Sequence, residues 1–424
     1  MTVKRVVVIS DTATARGGAT ALALLSAELL RAKGLNVTFI TGDDGDNADL
    51  TALGVEIIAA KGQELLRRRP LKSAVEGIHN HQTRNLIAEF IATRDTSDSI
   101  YHVHGWGQIL SPSIFAALRK VASRTVIHCH DFFLACPNGV FFDFQKEQDC
   151  TRKPLGLSCA LTNCDKRSYV HKGWRLARHG VFRRLFDQKL PWGAVVLIHP
   201  DMRPQMELAD YPANRLLTMR NPALRFSESR IKAEKNKGFV FVGRIEPDKG
   251  IVELVNAATK AGVPLTVIGD GPLRASLATS HPEFDFPGWK TRAEIGALIQ
   301  NCRALVMPPR FREPFGLVAV EASQSGLPVI LPNSALLAPE ITSNGLGFAC
   351  NIRDIQQFTE TLAQVAALPD AEIRAISERG YAGDIELGLT PENWVTALIA
   401  VYDRLVGKAA WECRSSPAHF WRLQ

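Results

Sequence analysis

With 424 residues, 46% of them apolar, the chain can bury two separate cores without help from disulfides or metals. A formal charge of +7 and a pI near 9.0 suit anionic partners, and no apolar run is long enough to cross a bilayer. The first residues lack the apolar segment and small-residue cleavage site of a secretory signal, so the sequence reads as cytoplasmic, with reduced thiols.

In chain order, the sequence opens on the apolar run 6–9, the pattern of a parallel strand covered on both faces. Gly17 and Gly18 follow. Leu22, Leu25 and Leu29 then recur at helical spacing as far as Lys33 and Gly34, and a second strand spans 37–40, completing a βαβ unit. Further strands are expected at 100–103, Thr125–Cys129 and 195–198, with Ser111 and Pro112 starting a helix between the first two. Asp44-Gly45-Asp46 spells a metal-binding carboxylate pair, but its Asp-rich setting reads as a turn.

Of eight cysteines, Cys129 belongs to an apolar strand. Cys136, Cys150, Cys159 and Cys164 fall in a Pro- and Gly-containing insertion at about 136–165. Four such thiols in a reducing compartment suggest a structural zinc, because thiolates satisfy a tetrahedral ion and order a segment that lacks its own core. Their spacing matches no standard knuckle, which leaves redox chemistry and unligated thiols open. After them Lys166, Arg167, Lys172, Arg175, Arg178, Arg183 and Arg184 interleave with Trp174, Leu176, Val181, Phe182, Leu185 and Phe186. That composition fits a helix resting on anionic lipid, and equally a solvated helix with one apolar face.

A second alternation opens at Gly238, with strands at 239–242, 265–268, 304–307 and 328–331 and a helix from Ile251. Thr291 and Glu294 form a capping box for a helix ending near Gln300, and Thr390-Pro391 starts a last helix reaching about Leu405. The expected organisation is an N-terminal domain 1–226, a polar linker 227–237 and a second domain 238–390. A C-terminal helix 391–406, packing back towards the N-terminal domain, and a tail 408–424 complete it.

The densest chemistry follows the strand at 304–307: Arg310-Phe311-Arg312-Glu313-Pro314-Phe315-Gly316-Leu317, with Glu321 eight positions after Glu313. A loop at a strand's carboxyl end, running into a helix start, offers unpaired amides to phosphate or sugar oxygens. Gly243-Arg244-Ile245-Glu246-Pro247-Asp248-Lys249-Gly250 puts two cations on another strand-end loop, where they can neutralise a departing diphosphate. Gly269-Asp270-Gly271 and Phe286-Pro287-Gly288 close two further strands.

This ordered set resembles glycosyltransferase family 4, whose fold is α/β of GT-B type, two facing Rossmann-like domains with a cleft between them. The resemblance covers residues 1–405 and is most specific in the second half. It implies a retaining transferase that moves a sugar from a nucleotide-sugar to an acceptor, without a metal for catalysis. Arg244 and Lys249 would grip the diphosphate, Glu313 would contact the donor sugar, and Glu321 would bond the ribose. The amides of Phe315, Gly316 and Leu317 would hold sugar and phosphate, while Gly269, Asp270, Gly271 and Gly288 would line the base pocket. Gly17 and Gly18 match the family's glycine loop, and His130 its strand-end histidine; His104 ends another strand of the same kind. Substitution would occur on one face, the leaving diphosphate taking the acceptor's proton.

The basic stretch points to a lipid-linked or cell-envelope glycan acceptor and to peripheral contact with an anionic membrane, at its inner face. A nucleic-acid partner is supported only by the pI and the basic stretch and is not expected. A nicotinamide dehydrogenase is disfavoured, since 11–19 offers Gly17-Gly18 rather than Gly-x-Gly-x-x-Gly. A nucleotide-sugar epimerase of the same fold should lack the Arg244, Lys249, Glu313 and Glu321 set, and a non-catalytic nucleotide-sugar binding protein is supported only by the pI and the basic stretch.

Overall fold

The computed structural model describes residues 3–15 and 17–412, with side chains described through residue 407. Two compact units emerge. Unit 1 takes the chain up to Gly139, then Arg152–Met219, then Glu392 onward; unit 2 takes Val140–Thr151 and Arg220–Pro391.

In unit 1, β1 (Arg5–Ser10), α1 (Gly18–Ala32), β2 (Asn36–Thr41), α2 (Ala48–Ala52) and β3 (Glu56–Ala59) lead into α3 (Pro70–Glu76) and α4 (His81–Arg94). Then come β4 (Ser99–Val103), α5 (Ile114–Leu118) and β5 (Thr125–Cys129). The hairpin β6 (Phe142–Asp143) and β7 (Gln148–Asp149) belongs to unit 2. The chain returns to unit 1 with α6 (Leu157–Leu161), α7 (Tyr169–Leu185), β8 (Ala194–Leu197), α8 (Arg203–Leu208) and β9 (Leu216–Thr218). The sheet is parallel throughout, in the order β3-β2-β1-β4-β5-β8-β9. Val6, Val7, Val8 and Ile9 are fully buried, as an apolar run in a two-sided sheet requires.

Unit 2 runs β10 (Gly238–Val242), α9 (Ile251–Ala261), β11 (Leu265–Ile268), α10 (Arg274–Ser280), β12 (Asp285–Gly288), α11 (Arg292–Leu298) and β13 (Cys302–Val306). It continues with α12 (Leu317–Gln324), β14 (Val329–Pro332), α13 (Ala338–Ser343), β15 (Gly347–Cys350), α14 (Ile355–Ala367) and α15 (Asp370–Ala382). The sheet is again parallel, in the order β12-β11-β10-β13-β14-β15. Helix α9 buries Ile251, Leu254, Val255 and Ala258, one stripe at helical spacing, and stops at left-handed Gly262. The capping box at Thr291 and Glu294 forms as the sequence requires.

The last helix, α16 (Pro391–Glu412), starts where expected and runs past 406. Its residues Trp394, Leu398 and Tyr402 are buried in unit 1, the amide of Val3 donates to Asp403, and Lys33 pairs with Glu392. Residues 413–424 of the expected tail lie outside the described residues.

Two features depart from the sequence reading. Residues 227–237 do not behave as a solvated linker: they lie within unit 2, with Ile231 and Ala233 fully buried, the Ile231 amide donating to Ser325 O and Arg230 paired with Glu234 at 2.9 Å. The insertion at 136–165 is also divided, since 140–151 groups with unit 2. Strands β3, β9 and β15 escape the pattern because they are short and sit at or next to sheet edges.

Candidate functional site

In a parallel sheet the ligand crevice forms at the carboxyl ends of the two strands where chain order reverses. In unit 2 those strands are β10 and β13. Their following loops are the Arg244–Lys249 loop and the Arg310–Gly316 loop, and the Arg310 amide donates to Asp248 O at 3.0 Å, tying one to the other. The loop after β11 joins them: Ile245 donates to Asp270 O at 2.9 Å, and Gly269 donates to Gly288 O at 2.9 Å. Gly269 has φ +141°, and a Cβ there would lie 1.8 Å from Gly243 O, so these loops pack this closely only without a side chain.

At this crossing Lys249 Nζ donates to Glu313 Oε2 at 3.1 Å, 4.9 Å above the Phe311 ring. The two side chains keep about a quarter and a fifth of their surface exposed. This is an ion pair still open to a ligand. Glu313 stands at the start of the turn into α12, whose N-cap, Gly316, takes φ +72°, and a Cβ there would strike Met307. The first amides of α12, beginning at Leu317, have no intrahelical acceptor by the geometry of any helix start, and Phe315 is buried just before them.

The other charged residues of the set find partners of their own. Arg244 Nη1 donates to Glu246 Oε1 at 2.8 Å and remains more than half exposed. Glu321, 8% exposed, accepts from Arg292 Nη1 at 2.8 Å. Burial pushes the Glu321 carboxyl up to about 7, with the Arg292 guanidinium pulling the other way. Arg292 stands at the first position of α11, and nothing in its sequence neighbourhood marks a partner 29 positions later. A cavity of about 300 Å³ lies at the carboxyl ends of β14 and β15, lined by Pro332, Asn333, Cys350 and Arg353 among others, and neither Lys249 nor Glu313 lines it.

In unit 1 the reversal falls between β1 and β4. Asp11, just past β1, accepts the amides of Gln108, Ile109 and Leu110 at 2.8–2.9 Å and so fixes the loop after β4. Gly17 caps α1, and a Cβ on Gly17 or Gly18 would meet nothing within 4 Å, leaving open space beside the helix start. Alternate residues of β4 and β5 share one sheet face. On that face His130 Nε2 lies 3.0 Å from His104 Nδ1, His104 Nε2 3.3 Å from His102 Nδ1, and His102 Nε2 3.2 Å from His128 Nδ1. Tyr402 of α16 reaches His102 Nδ1 at 2.6 Å. Burial drives His102 and His104 well below the usual imidazole range and His130 to about 3, so these rings are neutral.

Three cysteines of the proposed set surround one lysine. Lys172, fully buried, donates to Cys164 Sγ at 3.1 Å and Cys159 Sγ at 3.5 Å. Burial pulls this ammonium down, yet Cys164, Cys159 and Cys136 raise it further, for a net upward shift. Asn138 receives the Cys136 thiol at 3.1 Å and donates to Cys164 Sγ at 3.5 Å. Cys150 belongs to the segment of unit 2.

The basic stretch does less on the surface than its composition suggests. Arg175 pairs with buried Asp165 at 2.7 Å, and Arg178 donates to Gly77 O and Gly107 O, each at 2.7 Å, between the rings of Trp106 and Trp174. Arg183 bonds Ala209 O and covers Tyr211. These cations hold unit 1 together, because a guanidinium taken out of water needs acceptors wherever it lands. The exposed apolar residues lie elsewhere: Leu66, Leu71 and Val75 beside Arg67, Arg69 and Lys72, and Leu157, Leu161, Tyr169 and Val170 beside Lys166 and Arg167. Trp174 Nε1 donates to Ala74 O and Tyr169 Oη to Ala160 O, so α3, α6 and α7 carry these residues as one region. No helix among the described residues is long and apolar enough to cross a membrane.

Comparison with known proteins places this arrangement. The model of the family glycosyl transferases group 1 matches residues 224–382. A glycogen synthase of Mycobacterium tuberculosis is 31% identical over 146 residues, 32% of this chain and 35% of that enzyme, so the chain spans about a third of its relative's length. Among solved structures, a sucrose-phosphate synthase from Thermosynechococcus elongatus superposes with TM-score 0.70 at 16% identity, covering 96% of this chain and all of that one. HepE from Anabaena, in complex with UDP and glucose, gives TM-score 0.63 at 16% identity, covering 94% of this chain and 98% of that one. The fold is that of GT-B proteins, two Rossmann-like units, and within the second of them residues 224–382 match the family glycosyl transferases group 1.

Proposed function

We propose that the protein is a retaining glycosyltransferase that moves a sugar from a nucleoside-diphosphate sugar onto a glycan or lipid-linked acceptor. The observation that carries this reading is the Lys249–Glu313 pair, set beside the start of α12 at the strand-order reversal of unit 2. In such a transfer negative charge grows on the departing diphosphate, and a fixed ammonium stabilises it without reorganisation at the moment of bond breaking. Glu313 holds that ammonium and offers its second oxygen to sugar hydroxyls. The α12 amides take phosphate oxygens, Arg244 swings from Glu246 to the same anion, and Glu321 accepts from ribose hydroxyls. Same-face substitution needs no side-chain base, because the leaving oxygen removes the acceptor's proton. Support from relatives is of the same kind: HepE binds UDP and glucose, and one matched relative is a glycogen synthase.

The test is turnover of a nucleotide-sugar panel by purified protein, followed by NMR of the anomeric configuration. Slow nucleotide release without acceptor and a retained configuration are expected. Interconversion of sugars without nucleotide release would make the protein an epimerase, and binding without either reaction would end the reading.

Two further parts of the proposal concern unit 1. The region of Leu66, Leu71, Val75, Leu157, Leu161 and Val170, rimmed by cations, suits the interface of an anionic membrane, where apolar tips enter and charges meet headgroups. Leu71→Glu with Val170→Glu is expected to abolish flotation with anionic vesicles; unchanged flotation removes the membrane. The thiols of Cys136, Cys159 and Cys164 near Lys172 would be the ligands of a structural zinc in unit 1, with Lys172 donating to a zinc-bound sulfur. Zinc should purify with the protein and leave in Cys159→Ser with Cys164→Ser.

A further inference from the structure

We infer that Tyr402, His102 and His104 form a hydrogen-bonded relay that fixes the proton of His130 on Nε2, so that Nδ1 presents a bare lone pair and selects a ligand hydroxyl that donates. The ligand is taken to be the donor sugar, which rests on the transferase reading; the relay itself does not.

The assignment follows from where each proton can go. The Tyr402 hydroxyl is fully buried, and among the described residues its one partner is His102 Nδ1, so the phenol donates there. His102, being neutral, carries its proton on Nε2 and gives it to His128 Nδ1. His104 Nε2 faces His102 Nδ1 at 3.3 Å and Ser26 Oγ at 3.4 Å. A lone pair on His104 Nε2 would oppose the lone pair of His102, whereas Ser26, whose own proton goes to Ala23 O at 2.7 Å, can accept. His104 is therefore protonated on Nε2. Its Nδ1 must accept, and His130 Nε2 at 3.0 Å donates to it. What remains is His130 Nδ1, buried and without a partner among the described residues. A buried nitrogen lone pair left so is a demand for a donor.

The nitrogens of His102, His104 and His128 come within 4.8 Å of one another, close enough to share a cation. A cation needs three convergent lone pairs, however, and in this chain His102 and His128 spend theirs on Tyr402 and His102. Hydrogen bonding, not metal binding, occupies the nitrogens that face one another in the cluster. The polarity also runs in one direction only: reversing it would leave the Tyr402 proton without an acceptor. Tyr402, His102 and His104 are thus positioning residues, and His130 is the group that touches the ligand.

Long-range ¹H–¹⁵N spectra of the full chain labelled with ¹⁵N-histidine test this directly, the His130 signals being those lost in His130→Gln. Wild-type protein without ligand is expected to show His130 protonated on Nε2 alone, and Tyr402→Phe to show a second population protonated on Nδ1. A wild-type His130 carrying its proton on Nδ1, or a spectrum unchanged in Tyr402→Phe, overturns the relay. Should Tyr402→Phe not fold, the wild-type spectrum still decides. A series of singly fluorinated nucleotide-sugars then reads the consequence. At one position fluorine, which accepts but cannot donate, should weaken binding about as much as removing the hydroxyl, roughly tenfold. Fluorine tolerated at every position overturns the selection, while the spectra stand whether or not the protein transfers sugar.

Discussion

The two strand-order reversals share one topology and differ in electrostatics. In unit 2 the loops after β10 and β13 carry ion pairs, and two of them, Lys249–Glu313 and Arg244–Glu246, keep solvent contact. In unit 1 the corresponding face holds neutral imidazoles, and of the charges nearby Asp11 is buried and bonded to backbone amides while Arg178, partly buried, donates to backbone carbonyls. An exposed ion pair contributes little to stability and can exchange its partner for a ligand's phosphate at small cost; a charge withdrawn from water and bonded to the backbone cannot. Charge in unit 2 is therefore at the disposal of a ligand, whereas charge in unit 1 is committed to the fold.

The sharpest way to break this contrast is Lys249→Ala. It should lower kcat/KM by roughly 100- to 1000-fold, the usual cost of one preorganised electrostatic contact, with Tm nearly unchanged. A large fall in Tm with intact turnover would reverse the assignment. Arg178→Ala should do the opposite, costing about 3 kcal/mol of stability through the lost bonds to Gly77 and Gly107, measured by denaturant unfolding. Reversing charge at Arg175, Arg178 and Arg183 would thus test folding rather than membrane binding. Glu321 sharpens the comparison because it is a buried charge of unit 2. Its carboxyl is raised from the ordinary 4.5 to about 7, so its contribution to stability is whole below about 4.5 and is lost as pH rises towards 7. Nucleotide affinity should rise several-fold over that same upper range as the carboxylate forms, and Glu321→Gln should flatten both slopes in titration calorimetry and thermal melts.

What the sequence made legible was what neighbours decide. The apolar run at 6–9, the capping box of Thr291 and Glu294, and the turn glycines at 269 and 316 each declare themselves within a few residues. The Arg244–Lys249 and Glu313–Gly316 loops could be placed at strand ends for the same reason. The partnerships were not legible: Arg292 with Glu321, Tyr402 with His102 and Arg175 with Asp165 depend on tertiary packing that no periodicity encodes. Residues 227–237 read as linker because polarity and burial are independent wherever Arg230 and Glu234 satisfy one another. The basic helix misled for the same cause, since its guanidinium groups had acceptors waiting in distant loops.

Helix α16 seats Trp394 and Tyr402 against the sheet that begins at Arg5, so unit 1 draws its final layer from residues synthesised almost four hundred positions after its first strand. During translation the early strands must wait, partly assembled, while all of unit 2 leaves the ribosome. A recombinant fragment ending at Met219 should accordingly be an aggregation-prone intermediate, rescued when the 391–412 peptide is supplied in trans or spliced ahead of Val3 by circular permutation.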